Sequence, residues 1–142
     1  MRRCAILDDY QGVALDCADW PALAEVDVSV FREPITGLDK LATTLAPFEI
    51  VVAMRERTPF DRLLLARLPQ LALLVTTGMR NASIDMAVAR ERGVVVCGTE
   101  SYPGPAAELT WALLLALARR VCDETQAFRQ GRWQTTLGRS LH

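Results

Sequence analysis

Leu71-Ala72-Leu73-Leu74-Val75-Thr76-Thr77-Gly78-Met79-Arg80-Asn81-Ala82-Ser83-Ile84-Asp85 is the stretch that decides the fold of this chain. It opens as an apolar run, breaks at Thr76-Thr77-Gly78, and takes up a helical pattern from Ile84. A short apolar run bounded by turn residues reads as a buried strand, and a strand leading at once into a helix is half of a βα unit. In open α/β sheets ligands sit just beyond the carboxyl ends of the strands. The loop over residues 76–81 is therefore the first candidate for a binding site.

The same alternation repeats on both sides of it. Cys4-Ala5-Ile6-Leu7 reads as a strand that runs into Asp8-Asp9, followed by a short crossover through Gly12 and Trp20-Pro21. Val26-Asp27-Val28-Ser29-Val30-Phe31 alternates apolar and polar, as a sheet-edge strand does. Leu38, Leu41, Ala42 and Leu45 recur at helical spacing until Pro47. Ile50-Val51-Val52-Ala53-Met54 is apolar on both faces, hence central, and leads into Arg55-Glu56-Arg57-Thr58-Pro59. Residues 60–68 predict a helix closed by Pro69, and residues 84–92 predict another ended by Gly93, a left-handed cap. Val94-Val95-Val96-Cys97 is the fifth strand. Strands alternating with helices predict an α/β fold, a parallel sheet covered on both sides. Right-handed crossovers with one reversal favour the flavodoxin-like five-stranded order 2-1-3-4-5.

Beyond Gly98 the pattern changes. Gly104-Pro105 places a proline at a helix's first turn, with Glu108 near its positive end. Residues 106–129 read as one long helix whose Leu109, Ala112, Leu113, Leu114, Ala116, Leu117 and Val121 cover well over half the circumference. A helix lying on a sheet needs an apolar stripe of only about 100°. This one is expected to pack against something more, another chain or a further domain. The organisation read from the sequence is thus a sheet domain over residues 1–104, a long interdomain helix over 105–130 and a polar tail over 131–142.

Composition narrows the function classes. With 142 residues, 51% hydrophobic, 23% charged and a net charge of −1, the chain suits one globular domain with a real core. No block of one charge supports a nucleic-acid or anionic-membrane partner. Cys4, Cys17, Cys97 and Cys122 are widely spaced, with no CxxC pair and no nearby histidine, so no metal is expected. Reduced thiols in apolar runs point to a cytoplasmic protein. The apolar run at the N-terminus is too short for a signal peptide. The longest apolar stretch, residues 111–118, falls far below the roughly 20 residues of a membrane span.

The sequence holds no GxGxxG and no GxxxxGK[ST], the usual cradles for dinucleotide and nucleoside-triphosphate phosphates. Its single histidine, His142, is the last residue, a place that does not hold a general base in register. No serine elbow or Cys–His pair offers a nucleophile. What remains is polar and basic side chains at strand ends: Arg55 and Arg57, then Thr76 to Arg80, then Thr99, Glu100 and Ser101. A glycine turn with an adjacent arginine suits a small carboxylate. The plainer alternatives stay open: Arg55 and Arg57 pairing with Glu56, Asp61 or Glu33, Gly78 serving only a turn, and Asn81, Ser83 and Asp85 capping the next helix.

TTGMRNASID, GVVVCGT, AAELTWALLLALARR and Gly131-Arg132-Trp133, in that order, resemble the D-isomer-specific 2-hydroxyacid dehydrogenases, and MRERTPF resembles the family segment where an arginine follows the third strand. The resemblance covers nearly the whole chain. It implies a two-domain NAD- or NADP-dependent oxidoreductase passing hydride between nicotinamide and C2 of a small 2-hydroxy or 2-keto acid. This chain is then the substrate-binding domain, ending at His142 just short of the family's glycine-rich segment and expected to be a truncated piece. By the same resemblance Arg55 lies near the substrate, and Gly78, Met79 and Arg80 form the loop whose N–H groups hold its carboxylate. Glu108 matches the glutamate at the start of the interdomain helix. No catalytic residue, bound cofactor or metal is expected in this chain, which is inactive alone and self-associates through residues 105–130. Two departures bear on the substrate. Arg80 stands where the loop's second glycine is usual and favours a second negative charge, and Gly98-Thr99-Glu100 replaces an Asn-x-Pro. The rival reading is a stand-alone flavodoxin-like module that binds a small anion or regulates, and dimerises through its C-terminal helix.

Overall fold

The computed structural model describes residues 1–141, so His142 lies outside the described residues. The chain divides into two compact units, Met1–Ser101 and a second from Tyr102 onward. In the first unit β1 (Arg2–Ile6), β2 (Val26–Val30), β3 (Ile50–Ala53), β4 (Leu73–Thr76) and β5 (Val95–Gly98) form one sheet. Its order is β2-β1-β3-β4-β5 and every pairing is parallel, as the alternation of elements predicts.

Register decides which side chains meet. Ala5 lies beside Val51, Val51 beside Leu74 and Leu74 beside Val96. This row faces α1 (Leu38–Leu45), α2 (Arg62–Leu65) and α3 (Met86–Glu91), whose Leu41, Leu45, Leu64, Leu65, Val88 and Ala89 complete a single buried core. Phe60, Leu45, Leu64 and Leu74 are all but sealed from solvent. Burial of each such side chain contributes roughly 2 kcal/mol before entropy is counted.

The opposite face differs from the expectation of a sheet covered evenly on both sides. There Cys4, Ile6, Ile50, Val52, Leu73 and Val75 line an open apolar groove of ≈ 620 Å³. Its other wall is the β1–β2 crossover, which holds only two 3₁₀ turns, Ala14–Asp16 and Trp20–Ala22. Turns of three residues are too short to bury a five-stranded face.

Two helices begin later than their apolar spacing predicts, for one shared reason, and the first also ends early, at Leu65. Phe60 pairs in strand fashion with Ile84: its N–H reaches Ser83 O at 2.7 Å and its carbonyl accepts from Asp85 N at 3.0 Å. Helical dihedrals are excluded on both sides of that bridge. The helices begin only where Asp61 accepts from Leu64 N (2.9 Å) and Asp85 from Val88 N (3.0 Å).

In the second unit the single helix expected over 106–129 is two, α4 (Gly104–Ala118) and α5 (Val121–Arg129). The break is at Arg120, in left-handed geometry (φ 54°) with its Nε on Asp123 Oδ2 at 2.8 Å. Neither glycine nor proline marks it, so it is invisible to pattern reading. No residue of α4 is buried, and Leu117 is 82% exposed. The polar tail is tied down after all. The Glu124 carboxylate accepts from the backbone and hydroxyl groups of Thr135 and Thr136, bonds that, led by the Thr136 hydroxyl, lower its pKa. No helix among the described residues is long and apolar enough to cross a membrane.

Candidate functional site

The carboxyl ends of β3, β4 and β5 bring three loops of the first unit together. β3 ends in Arg55, whose backbone is left-handed (φ 53°), a conformation that strains a residue with a Cβ. Both of its backbone groups are clamped. Its N–H donates to Thr77 Oγ1 at 3.1 Å, and its carbonyl accepts from Asn81 Nδ2 at 2.6 Å. The same Asn81 amide also donates to Thr76 Oγ1 at 2.9 Å, while its oxygen accepts from Ser83 N at 2.9 Å. Asn81 is therefore a bridge between loops as well as a local turn residue.

Gly78 turns the β4 loop at φ 96°. A Cβ there would lie 3.2 Å from Cζ of Arg55 and nearer still to Nη1, so the guanidinium rests directly over the glycine. Gly78 N–H donates to Thr99 Oγ1 at 2.9 Å. Thr99 gets that close because Gly98 has no side chain: a Cβ on it would stand 2.8 Å from Gly78 O and 2.9 Å from Met79 Cα. Thr77 N–H donates to Ala53 O, whereas the next N–H groups, of Met79 and Arg80, have no acceptor among the described residues. Successive unbonded N–H groups beside a left-handed glycine are the backbone arrangement from which anion-binding nests are built.

The mouth of the apolar groove adjoins these loops and carries a second polar cluster. Asp8, left-handed at φ 57° and buried, accepts from Thr58 Oγ1 at 2.7 Å and from the Tyr10 hydroxyl at 3.2 Å. Arg57 donates to Asp8 O at 2.6 Å and lies 4.4 Å over the Tyr10 ring. Burial and the neighbouring Asp8 carboxylate push the Tyr10 phenol pKa up. Asp9 is buried too, and burial by itself raises its pKa. The N–H groups of Ala14, Val13 and Gly12, with Arg32, outweigh that and hold the carboxyl below its ordinary range.

Arg55, Gly78, Met79 and Arg80 are thus brought together on adjoining loops, with Met79 and Arg80 exposed. The ion pairs among the described residues are Arg62–Glu91, Arg67–Asp39 and Arg120–Asp123, so Arg55, Arg57 and Arg80 are all left unneutralised. Asp85 takes the capping role expected of it. Thr77 and Thr99 stand in the polar set read at the strand ends, but their roles as acceptors across strands, from Arg55 N and Gly78 N, have no sequence signature. Gly98 is legible only as a glycine ending a strand.

Residues 5–137 match the family described as D-isomer specific 2-hydroxyacid dehydrogenase, catalytic domain. The chain belongs to this family. Its members are oxidoreductases acting on CH–OH groups of small hydroxy and keto acids, in general with NAD. Among the chain's curated relatives, the glyoxylate reductase of Thermococcus gammatolerans is 28% identical over 116 residues, 81% of this chain and 31% of that protein. The solved phosphoglycerate oxidoreductase of Vibrio cholerae is 38% identical with a TM-score of 0.92, covering 99% of this chain and 46% of that one. A putative D-3-phosphoglycerate dehydrogenase of Ralstonia solanacearum is 36% identical with a TM-score of 0.86, covering 94% and 40%. The chain spans about a third of the length of the curated relative and less than half of either solved one.

The family's dinucleotide does not fit the residues present. No glycine-rich strand–turn–helix occurs in the sequence, and the first strand of the sheet runs into the buried acids Asp8 and Asp9 where a pyrophosphate needs N–H donors.

Proposed function

We propose that this chain is the substrate-binding domain of an NAD(P)-dependent D-2-hydroxyacid dehydrogenase, and that it is inactive alone. The observation that carries the reading is the pair of free N–H groups on Met79 and Arg80, beside left-handed Gly78 and the Arg55 guanidinium. A carboxylate seated there accepts two backbone bonds and one charge-assisted bond, which fixes the direction of the adjoining C2. Gly78 contributes its φ and its missing Cβ, since its own N–H is spent on Thr99. Clamping Arg55 through Thr77 and Asn81 keeps the guanidinium in place before the acid arrives, so binding costs less ordering. The redox half of the reaction is no part of this chain's work. A cytoplasmic setting belongs to the same proposal, and the free state of Cys4, Cys17, Cys97 and Cys122 supports it.

The test is a titration of the chain with D-lactate and glyoxylate, followed by amide NMR. Shifts confined to residues 76–81, 55 and 99 are expected, and their absence would refute the site. In parallel, NADH with a panel of 2-keto acids should give no turnover, and turnover by the chain alone would overturn its inactivity.

The exposed apolar side chains of α4 favour self-association through residues 105–130 as part of the proposal: Leu109, Trp111, Leu113 and Leu117 all face solvent. Sedimentation at rising concentration should show a dimer or larger species, and Leu113→Glu with Leu117→Glu should return it to monomer. A chain that stays monomeric throughout would remove this part.

A further inference from the structure

The carboxylate reading uses one cation, and the two adjoining loops supply two, Arg55 after β3 and Arg80 after β4. Arg55 rests over Gly78, whereas Arg80 extends from the next turn of the loop, exposed, with no hydrogen bond or ion pair among the described residues. Glu56 and Glu100, in the neighbouring loops, do not pair with it. Beside the loop lies a cavity of ≈ 290 Å³ lined by Thr76, Met79, Arg80, Asn81, Ile84 and Gly98, among others. The Thr76 hydroxyl and the Asn81 amide are bonded to each other, which leaves the Arg80 guanidinium as the uncommitted charge on this cavity.

Resting on the carboxylate reading above, we propose that the site takes a short 2-hydroxy or 2-keto acid bearing a second anionic group, held by the Arg80 side chain. One residue then offers both a nest N–H and a cation, so the two anionic groups of the ligand lie a few bonds apart. A monoanionic acid leaves the Arg80 guanidinium without a partner on the loop next to Arg55. A dianion supplies that partner through a charge-assisted, bidentate contact. Carboxylate and phosphate share the chemistry that a guanidinium recognises, so the probes must separate them.

The experiment measures Kd for D-lactate, D-malate and D-3-phosphoglycerate by amide NMR on the 142-residue chain, at constant ionic strength. D-Malate or D-3-phosphoglycerate should bind about tenfold more tightly than D-lactate, a bidentate charge pair's worth. The tighter of the two identifies the second group as carboxylate or phosphate. Arg80→Ala should collapse the preference to near parity, and Arg80→Lys should keep most of it. Equal affinity for all three ligands in the unaltered chain overturns the proposal, as does a preference that survives Arg80→Ala. If none of the three shifts the Met79 and Arg80 amides, the carboxylate site itself fails and takes this inference with it. If D-lactate shifts them but no preference exists, only the inference falls.

Discussion

The side-chain amide of Asn81 donates to the carbonyl of Arg55 at 2.6 Å, across 26 residues of chain. That bond joins the loop after β3 to the loop after β4 and holds Arg55 in a left-handed backbone it would otherwise leave. It makes Asn81 a positioning residue for the arginine over Gly78. Replacing it with leucine removes an exposed bond to the Arg55 carbonyl and a part-buried one to the Thr76 hydroxyl, at a cost of about 1 kcal/mol. Urea unfolding should register that loss. The Arg55 resonances should shift with it, and an unmoved Arg55 would show that the clamp is not what places it.

Glycines on these loops should respond to alanine in a graded way. Gly78→Ala meets both a φ of 96° and the Arg55 guanidinium, so roughly 1–3 kcal/mol of strain is expected along with displacement of that arginine. Gly93→Ala, at φ 72° with nothing within 4 Å of its Cβ, should cost only about 1 kcal/mol. Gly98→Ala carries no left-handed strain but presses on Gly78 O and Met79 Cα. It should perturb the nest amides beyond its effect on stability. Parallel urea titrations and amide spectra of the three variants check the ranking.

Thiol reactivity separates the cysteines by burial. Desolvation pushes the Cys4 thiol up to about 11, and the side chain is buried at the root of the apolar groove. Cys17, Cys97 and Cys122 are exposed. Timed alkylation at mildly alkaline pH should label three thiols quickly, with the fourth following only on unfolding. Rapid modification of Cys4 in the native chain would mean that the groove opens far enough to admit reagent.

Asp9 should contribute to the chain's acid sensitivity. Its folded pKa lies below the ordinary 3.8, so its contribution to stability is complete above that value and is lost as pH falls through the folded pKa. The stability gap between the native chain and Asp9→Asn should be widest above pH 3.8 and shrink below it. Denaturant melts from about pH 6 to about pH 2 test this, and a constant gap would contradict the role given to its N–H donors.

Sequence alone determined the strands, because central parallel strands are written as continuous apolar runs, as in Ile50-Val51-Val52-Ala53 and Leu73-Leu74-Val75-Thr76, and the right-handed crossover rule with one reversal then favoured their order. It also placed the candidate loop, since strand ends and glycines are local features. It did not yield the division of residues 106–129 at Arg120, nor the shortening of the two helices around the Phe60–Ile84 bridge. The break has no glycine or proline to announce it, and the helix starts follow from backbone bonds between residues far apart in the chain. The contacts that shape the site are of the same kind: Asn81 to Arg55, Gly78 to Thr99, and Gly98 against Met79. Each depends on separations that arise only when neighbouring parallel strands align their ends. Local propensity carries no record of such alignment, so only the tertiary structure decided which N–H groups stay free to meet an anion.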